Sequence, residues 1–391
     1  MTSRSRVTVL AGFAPAATDA VARSLLVADP SLTLVGHDLS AVRDGVVTRT
    51  VRTAAGVIER GRTELVHGCV SCTLREDVLP TLERLSRERP GSDIVLCLPP
   101  AIEPAAVAAL PAELTFDSFV TVVEAAGLLD DLTSSDDLRD RDLHAAANDR
   151  RGVAEVVARQ IEYADTIVVW GSPALGPYDR DQAAALLHRL TPWAVQVRVG
   201  DGPTVDCTGL AARLLRTGRH DPAVPAMLGR ALEGYPIGIH DRAGDHGVNA
   251  MLFQSRRPFH PQRLHDALED LAATSLRGRG QLWIATQPDT AIAWESAGGN
   301  LMLGNLGLWL AALPADRWDE ATPMRRLSAD AAWDPYYGDR GTALSFVGLG
   351  LDTDALTATL KGCLLADAEL AEGADAWSKL PDPFAEHYSW A

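Results

Sequence analysis

Short β-branched apolar runs alternate with amphipathic helical stretches through roughly the first half of this chain, and that alternation restricts the fold more than any other feature. Residues 6–10 form the first run, and residues 18–28 then place Val21, Leu25 and Leu26 at helical spacing. Further runs at 32–35, 93–98, 118–123, 166–170 and 194–199 are interleaved with helical patterns at 76–89, 153–163 and 180–190. Strands that are apolar on both sides have no solvent face, and parallel neighbours need crossover connections long enough to hold a helix. The pattern therefore predicts an α/β fold, a mostly parallel sheet with helices on both faces.

At 391 residues the chain exceeds what one hydrophobic core usually spans, so more than one domain is expected. Residues 1–200 carry the alternating pattern, and residues 201–245 turn rich in Gly, Pro and Asp and read as a linker. Residues 246–391 form a second, smaller domain. Its apolar runs at 249–254, 281–285 and 343–349, with helical patterns at 261–273 and 353–365, give an α+β plan.

Thirty-six basic against 52 acidic residues leave a net charge of −16, a field that repels phosphate backbones and anionic membranes. No direct partnership with free nucleic acid is expected, and no segment has the ~20 apolar residues of a membrane span. The start, with Arg4 and Arg6 before an apolar run, imitates a signal peptide. The run is short, contains Thr8 and Gly12, and passes directly into a helical pattern, so it reads as the first strand. Five cysteines without disulfide-like spacing suit a reducing cytoplasm, which is the expected location.

Residues 7–20 run strand, Gly-containing turn, helix, the outline of a P-loop NTPase. The chemistry of that loop is missing. The turn GFAPAATDA retains Gly12, but Thr18 stands where a lysine would reach the phosphates and Asp19 where a hydroxyl would hold Mg²⁺. Pro15 removes an N–H that such a loop would aim at an anion. Only Lys361 and Lys379 are lysines, so no other position of the chain supplies a phosphate-binding ammonium group. Gly12, Thr18 and Asp19 read as a vestigial phosphate loop, and GTP is not an expected cofactor.

Residues 67–77, HGCVSCTLRED, hold Cys69 and Cys72 in a CxxC ahead of a helical pattern. Two sulfurs at this spacing grip one soft or borderline metal, zinc above all, yet they make only half of a tetrahedral site. His67 is the nearest third ligand in sequence, with His37, Glu64 and Glu103 as alternatives. The helix N-terminus is expected to lower the thiol pKa, which keeps a thiol–disulfide role open beside metal binding.

GCVSCT followed by LRED resembles the CobW-like family of metal-linked P-loop GTPases, whose hallmark is a GCxCC motif between the phosphate loop and the second nucleotide motif. RRPFHPQRL at 256–264, GDRGTALSFVGLGLD at 338–352, CLLADAEL at 363–370 and DPF at 382–384 are similar to that family's C-terminal domain. The resemblance thus runs nearly end to end, and it implies a P-loop NTPase-like first domain followed by a CobW-type second one. The departures fall on nucleotide chemistry. GxxGxGKT is GFAPAATD here, and Cys97, followed by Pro99 and Pro100, stands where the water-positioning Glu is expected. The guanine-reading NKxD is replaced by Trp170, Gly171, Ser172 and Pro173, and the middle cysteine is Ser71; Glu103, Pro104 and the stretch 160–165 still match.

Phosphoryl transfer is catalysed almost wholly by positioning and charge neutralisation, so losing these groups together removes the machinery. Similarity to a degenerate actinobacterial branch linked to zinc scarcity implies a pseudo-GTPase that binds zinc and recruits a protein partner, a ribosome hibernation factor or the ribosome. The competing expectation is an active GTP-dependent zinc metallochaperone in which Arg6 or Arg75 substitutes for the lysine.

Seven tryptophans, Trp283, Trp294, Trp309, Trp318, Trp333, Trp377 and Trp390, crowd the second domain and read as core before they read as a recognition surface. Arg256 and Arg257 read as a solvated edge, with docking of an acidic or phosphate-bearing partner as the functional alternative. The acidic net charge implies that any ribosome contact runs through proteins or through a confined Arg-rich patch such as Arg213, Arg216 and Arg219.

Overall fold

The computed structural model describes residues 5–109, 114–146, 149–200 and 206–385, and the chain divides into two compact units, Met1–Pro222 and Ala223–Ala391. The first unit is built from strands β1 (Arg6–Ala11), β2 (Thr33–Asp38), β3 (Val46–Thr53), β4 (Gly56–Glu64), β5 (Ile94–Cys97), β6 (Thr115–Glu124), β7 (Thr166–Trp170) and β8 (Val195–Val199). They form one sheet in the order β4-β3-β2-β5-β1-β6-β7-β8. Six of the strands run parallel in five neighbouring pairs, and β3 and β4 add an antiparallel hairpin at one edge.

Alternation along β1 explains why both faces need cover. Leu10 joins Val21 and Leu25 of helix α1 (Pro15–Ala28), while Val7 and Val9 join the opposite cluster with Leu82 and Leu85. Those two leucines belong to a helical segment made of α2 (Val70–Thr73), a wide π turn at Leu74–Val78, and α3 (Leu79–Glu88). The expected helix at 76–89 therefore begins six residues earlier, at Val70. The π turn carries Leu74, Asp77 and Val78 inward together.

The stretch anticipated as a linker carries a helix, Cys207–Leu214, whose Leu210 and Leu214 lie in the core of the first unit. Arg216 of the basic patch is engaged by Asp29 at 2.6 Å and Asp93 at 2.7 Å.

The second unit holds an antiparallel sheet of β9 (Asp241–Asp245), β10 (Val248–Ser255), β11 (Arg277–Leu282), β12 (Thr290–Ala297), β13 (Asn300–Leu308) and β14 (Thr342–Leu349), in the order β13-β12-β11-β14-β10-β9. The helices Pro261–Ala273 and Thr353–Gly362 bury Leu264, Leu271, Leu356 and Leu360 against Phe253, Trp294 and Phe346. Trp283, Trp294, Trp309 and Trp377 are core residues. Trp333 is exposed, with its ring 5.3 Å from that of Trp318, and Trp390 lies outside the described residues. Among the described residues no helix is long and apolar enough to cross a membrane.

Candidate functional site

The connection from β1 leads toward β2 on one side of the sheet, and the connection from β5 crosses past β1 to β6 on the other. The carboxyl ends of β1 and β5 are therefore a topological switch point, the place where open α/β sheets leave a crevice. A cavity of about 380 Å³ lies there, walled by Pro15, Thr18 and Asp19 at the start of α1, by residues 36–40 after β2, by residues 97–101 after β5, and by residues 142–144.

The vestigial loop contributes little that would hold an anion. Gly12 is pressed so closely against the Thr18 side chain and the Val122 carbonyl that a Cβ would lie 2.5 and 2.6 Å from their oxygens. The Thr18 hydroxyl donates back to the Ala14 carbonyl at 3.1 Å instead of facing the cavity with a free proton. Ala14 caps the helix without a side-chain bond and Pro15 has no N–H, so Ala16 and Ala17 are the first-turn amides left without a helical partner. Asp19 forms an ion pair with Arg23 one helical turn away.

Charge is the distinctive property of this cavity. Asp19, Asp38 and Asp142 line it together with His37 and His144, and among the described residues no Arg or Lys is on its walls. Asp142 approaches Arg43 at 3.4 Å. His37 and His144 each bury an Nδ1 with no hydrogen-bond partner. Burial, reinforced by the charge of Asp19, pushes the Cys97 thiol up to about 12, so Cys97 is protonated at neutral pH. Iodoacetamide at pH 8 is accordingly expected to label Cys69 while leaving Cys97 unmodified over the same period, as read by peptide mass spectrometry; equal labelling would refute the protonated thiol.

Neither arginine considered as a lysine substitute reaches the cavity. Arg6 sits at the opposite end of β1, its backbone N–H on Asp93 and its guanidinium 4.0 Å from Asp117, while Arg75 lies 3.9 Å from the Cys72 sulfur. Glu103 is held by Arg151 at 2.8 Å and Arg159 at 3.4 Å. The matching stretch at 160–165 serves as bracing: Gln160 is buried and donates to the Pro100 carbonyl at 2.7 Å, and Asp165 accepts from the Phe119 amide at 2.8 Å.

Cys69 is the N-cap of α2, and its sulfur accepts from the Cys72 amide at 3.5 Å. Cys72 packs into a small apolar cluster with Val42, Val47 and Leu65, against which Cys69 also rests. Burial pushes the Cys72 thiol above its ordinary value, and the hydrogen bond with Cys69 adds to the rise. For Cys72 this corrects the expectation of a lowered pKa, because removing the thiolate from water outweighs the backbone hydrogen bond of His67 and the contact with Arg75. His67 is exposed and meets the pair through its backbone carbonyl, which accepts from the Cys69 amide at 2.9 Å. Among the described residues no three His, Cys, Asp or Glu side chains are grouped to hold a metal ion. Cys69 and Cys72 thus come together, and His67, Glu64 and Glu103 do not join them as a ligand set.

Sequence reasoning missed Asp77, the centre of a buried polar cluster. His37 Nε2 lies 2.8 Å from one Asp77 oxygen, and the Thr63 hydroxyl donates to the other at 2.5 Å, joined there by the Arg49 guanidinium. The cluster ties β2, β3 and β4 to the π turn that follows the cysteines. The LRED run marked the position, but nothing in one sequence says that its partners stand at 37, 49 and 63.

Residues 35–191 match the CobW/HypB/UreG nucleotide-binding domain, and residues 248–364 match the cobalamin synthesis protein cobW C-terminal domain. The protein named Zinc chaperone Rv0106, from Mycobacterium tuberculosis, is 34% identical over 364 residues, spanning 87% of this chain and 83% of that one. The chain belongs to the CobW family. Zinc-regulated GTPase metalloprotein activator 1 of Dictyostelium discoideum is 26% identical to this CobW-family chain over 383 residues, covering 92% and 77% of the two. The Zn(II)-bound YjiA GTPase of E. coli superimposes on it with a TM-score of 0.37 at 15% identity, covering 93% of this chain and 100% of that one, a likeness too loose to transfer any residue.

Proposed function

We propose that this CobW-family protein is a pseudo-GTPase that carries or senses zinc in the cytoplasm and acts by recruiting a protein partner. The observation that carries the first part is the charge of the switch-point cavity, where three aspartates and, among the described residues, no Arg or Lys line the space a nucleoside triphosphate would fill. Transfer of a γ-phosphoryl group depends on neutralising its oxygens, and an acidic wall opposes even ground-state binding.

Zinc enters this reading as cargo. Cys69 and Cys72 supply two soft sulfurs beside each other, with no third donor grouped with them among the described residues, whereas closed structural sites use four ligands. An open pair suits a metal that arrives and leaves, with remaining ligands supplied by whatever hands the ion over or receives it. Loading must also expel the thiol protons, and the raised pKa of Cys72 makes uptake fall as the solution is acidified. The names of the mycobacterial and Dictyostelium relatives, one a zinc chaperone and one a zinc-regulated metalloprotein activator, support the zinc link. A ribosome hibernation factor or the ribosome remains our proposed partner, on the resemblance alone.

Titration with a fluorescent GTP analogue and Mg²⁺ is expected to give no saturable binding below roughly 100 μM. Micromolar, Mg²⁺-dependent binding would return the chain to the active metallochaperone reading. In a parallel competition against a chromogenic chelator, wild type is expected to take up one zinc per chain and the Cys69→Ala, Cys72→Ala double variant none. Equal uptake by the two would remove zinc from this site.

A further inference from the structure

On a chain whose net charge is −16, four cations gather around one trough of about 700 Å³ in the second unit. Arg256 and Arg257 follow directly on β10, Arg263 stands in the first turn of the helix Pro261–Ala273, and Lys361 in the last turn of the helix Thr353–Gly362. Among the described residues no Asp or Glu is on its walls, the reverse of the switch-point cavity. Gln254, Arg257, Lys361 and Ala366 of the lining are exposed, so the trough opens to water.

Where each charge goes decides what the trough attracts. Arg263 is held by Glu369 at 2.6 and 2.8 Å and donates to the Leu364 carbonyl at 2.8 Å, so it braces the wall. Arg257 donates its amide to the Ser255 hydroxyl at 3.0 Å and pairs with Asp367 at 2.7 Å, but that carboxylate is 87% exposed. An ion pair so open to solvent contributes little and is readily exchanged. Arg256 donates to the carbonyls of Arg340 and Ala332, neutral acceptors that leave its charge uncancelled. Its field reaches Asp334, whose carboxylate already accepts from the amides of Tyr336 and Tyr337 at 2.8 and 2.9 Å. Lys361, one of two lysines in the chain, has no ion-pair partner among the described residues. Arg256, Arg257 and Lys361 are thus balanced weakly or not at all.

We propose that this trough docks an acidic stretch of a protein partner, a segment carrying several Asp or Glu side chains in succession. The cations come from three separate elements, and the volume is many times that of a single carboxylate, a water-sized group claiming only about 30 Å³. A chain that repeats carboxylates meets them together, displacing Asp367 from Arg257, with the arginines as planar forks and Lys361 as a point charge. The surrounding acidity does not forbid this, because charges beyond about 8 Å are largely screened at physiological ionic strength. That the occupant is a protein rests on the recruitment reading above. The contact involves neither zinc nor nucleotide, so its test and the zinc and GTP titrations fail independently.

The test is fluorescence anisotropy of a fluorescein-labelled hexaglutamate peptide against the full chain in about 0.1 M salt, where the Debye length is about 10 Å. Saturable binding is expected, and it should disappear at about 1 M salt. Arg257→Glu combined with Lys361→Glu is expected to weaken it by roughly tenfold or more, since the reversal sets like charges against the peptide. Arg317→Glu combined with Arg326→Glu makes the same change in net charge at exposed ion pairs outside the trough, and is expected to bind as wild type does. The proposal is overturned by no saturable signal up to roughly 500 μM protein, by binding indifferent to salt, or by equal weakening in the two double variants. Free glutamate that competes as well as the peptide at equal carboxylate concentration would overturn it by revealing a site for one small anion. A dimer in light scattering that the first double variant alone dissociates would overturn it too, because the occupant is then a second copy of the chain.

Discussion

Replacing Asp77 with alanine is expected to remove about 3–5 kcal/mol from the stability of the first unit, the loss characteristic of breaking a buried charge network on one side. Its carboxylate is 1% exposed, faces the fully buried His37 side chain, and accepts from Thr63 and Arg49. Arg49 retains Glu59 at 2.7 Å, but His37 would be left with neither ring nitrogen paired, since Nδ1 has no partner already. Removing one member therefore leaves polar atoms buried without compensation. Asp77→Asn keeps the shape and an acceptor, so it should lie between the alanine variant and wild type. Urea denaturation at pH 7 measures all three, and an alanine variant within about 1 kcal/mol of wild type would show that water enters and satisfies the cluster.

The same carboxylate makes an acid-side prediction. Burial alone would raise its pKa, but hydrogen bonds from His37, Thr63 and Arg49 outweigh that and hold it at about 2, below the ordinary 3.8. The folded pKa is depressed, so the contribution is complete above the unfolded value and is lost as pH falls from near 4 toward 2. It amounts to about 2 kcal/mol. The gap between wild type and the alanine variant should narrow over that window.

Much of the first sheet was legible because its parallel strands are buried on both faces and must be written as apolar runs; β7, at Thr166–Trp170, coincides with the run that marked it. The hairpin of β3 and β4 was not, for the converse reason. Its residues lie at the sheet edge, and β4 reads GVIERGRTE with a largely exposed or half-exposed face, which gives neither an apolar run nor a clean alternation. In the second unit β13 carries Asn300, Gly304, Asn305 and Gly307, residues that ordinarily mark loops and hide the strand in the same way. The site divides along the same line. The cysteine pair is a local spacing and is visible in sequence, whereas the Asp77 cluster assembles side chains separated by up to 40 residues and exists only once the strands have paired. The failed expectation of a lowered thiol pKa has the same origin, because burial of Cys72 among Val42, Val47 and Leu65 is a tertiary fact.

Gly280 to alanine is expected to be the most damaging small substitution in the second unit. Gly280 lies within β11, opposite Trp294 on one neighbour and Leu344 on the other, with φ +140°, a backbone conformation that L side chains rarely adopt. A Cβ added there would stand 2.0 Å from the Ala343 carbonyl oxygen and 3.0 Å from its carbon. Both are backbone atoms of β14, the strand that pairs β11 to β10, so relief requires the sheet itself to part. A combination of strained φ and backbone collision has no side-chain escape, and a loss above roughly 3 kcal/mol is expected. Gly304→Ala in β13 is the matched control. Its nearest neighbour would be the Ala293 Cβ at 3.8 Å, an ordinary contact, so the change should lie within about 1 kcal/mol of zero. Thermal unfolding of the two variants side by side decides the matter. If both melt like wild type, β11 and β14 have room to separate, and the close approach at Gly280 does not constrain the sheet.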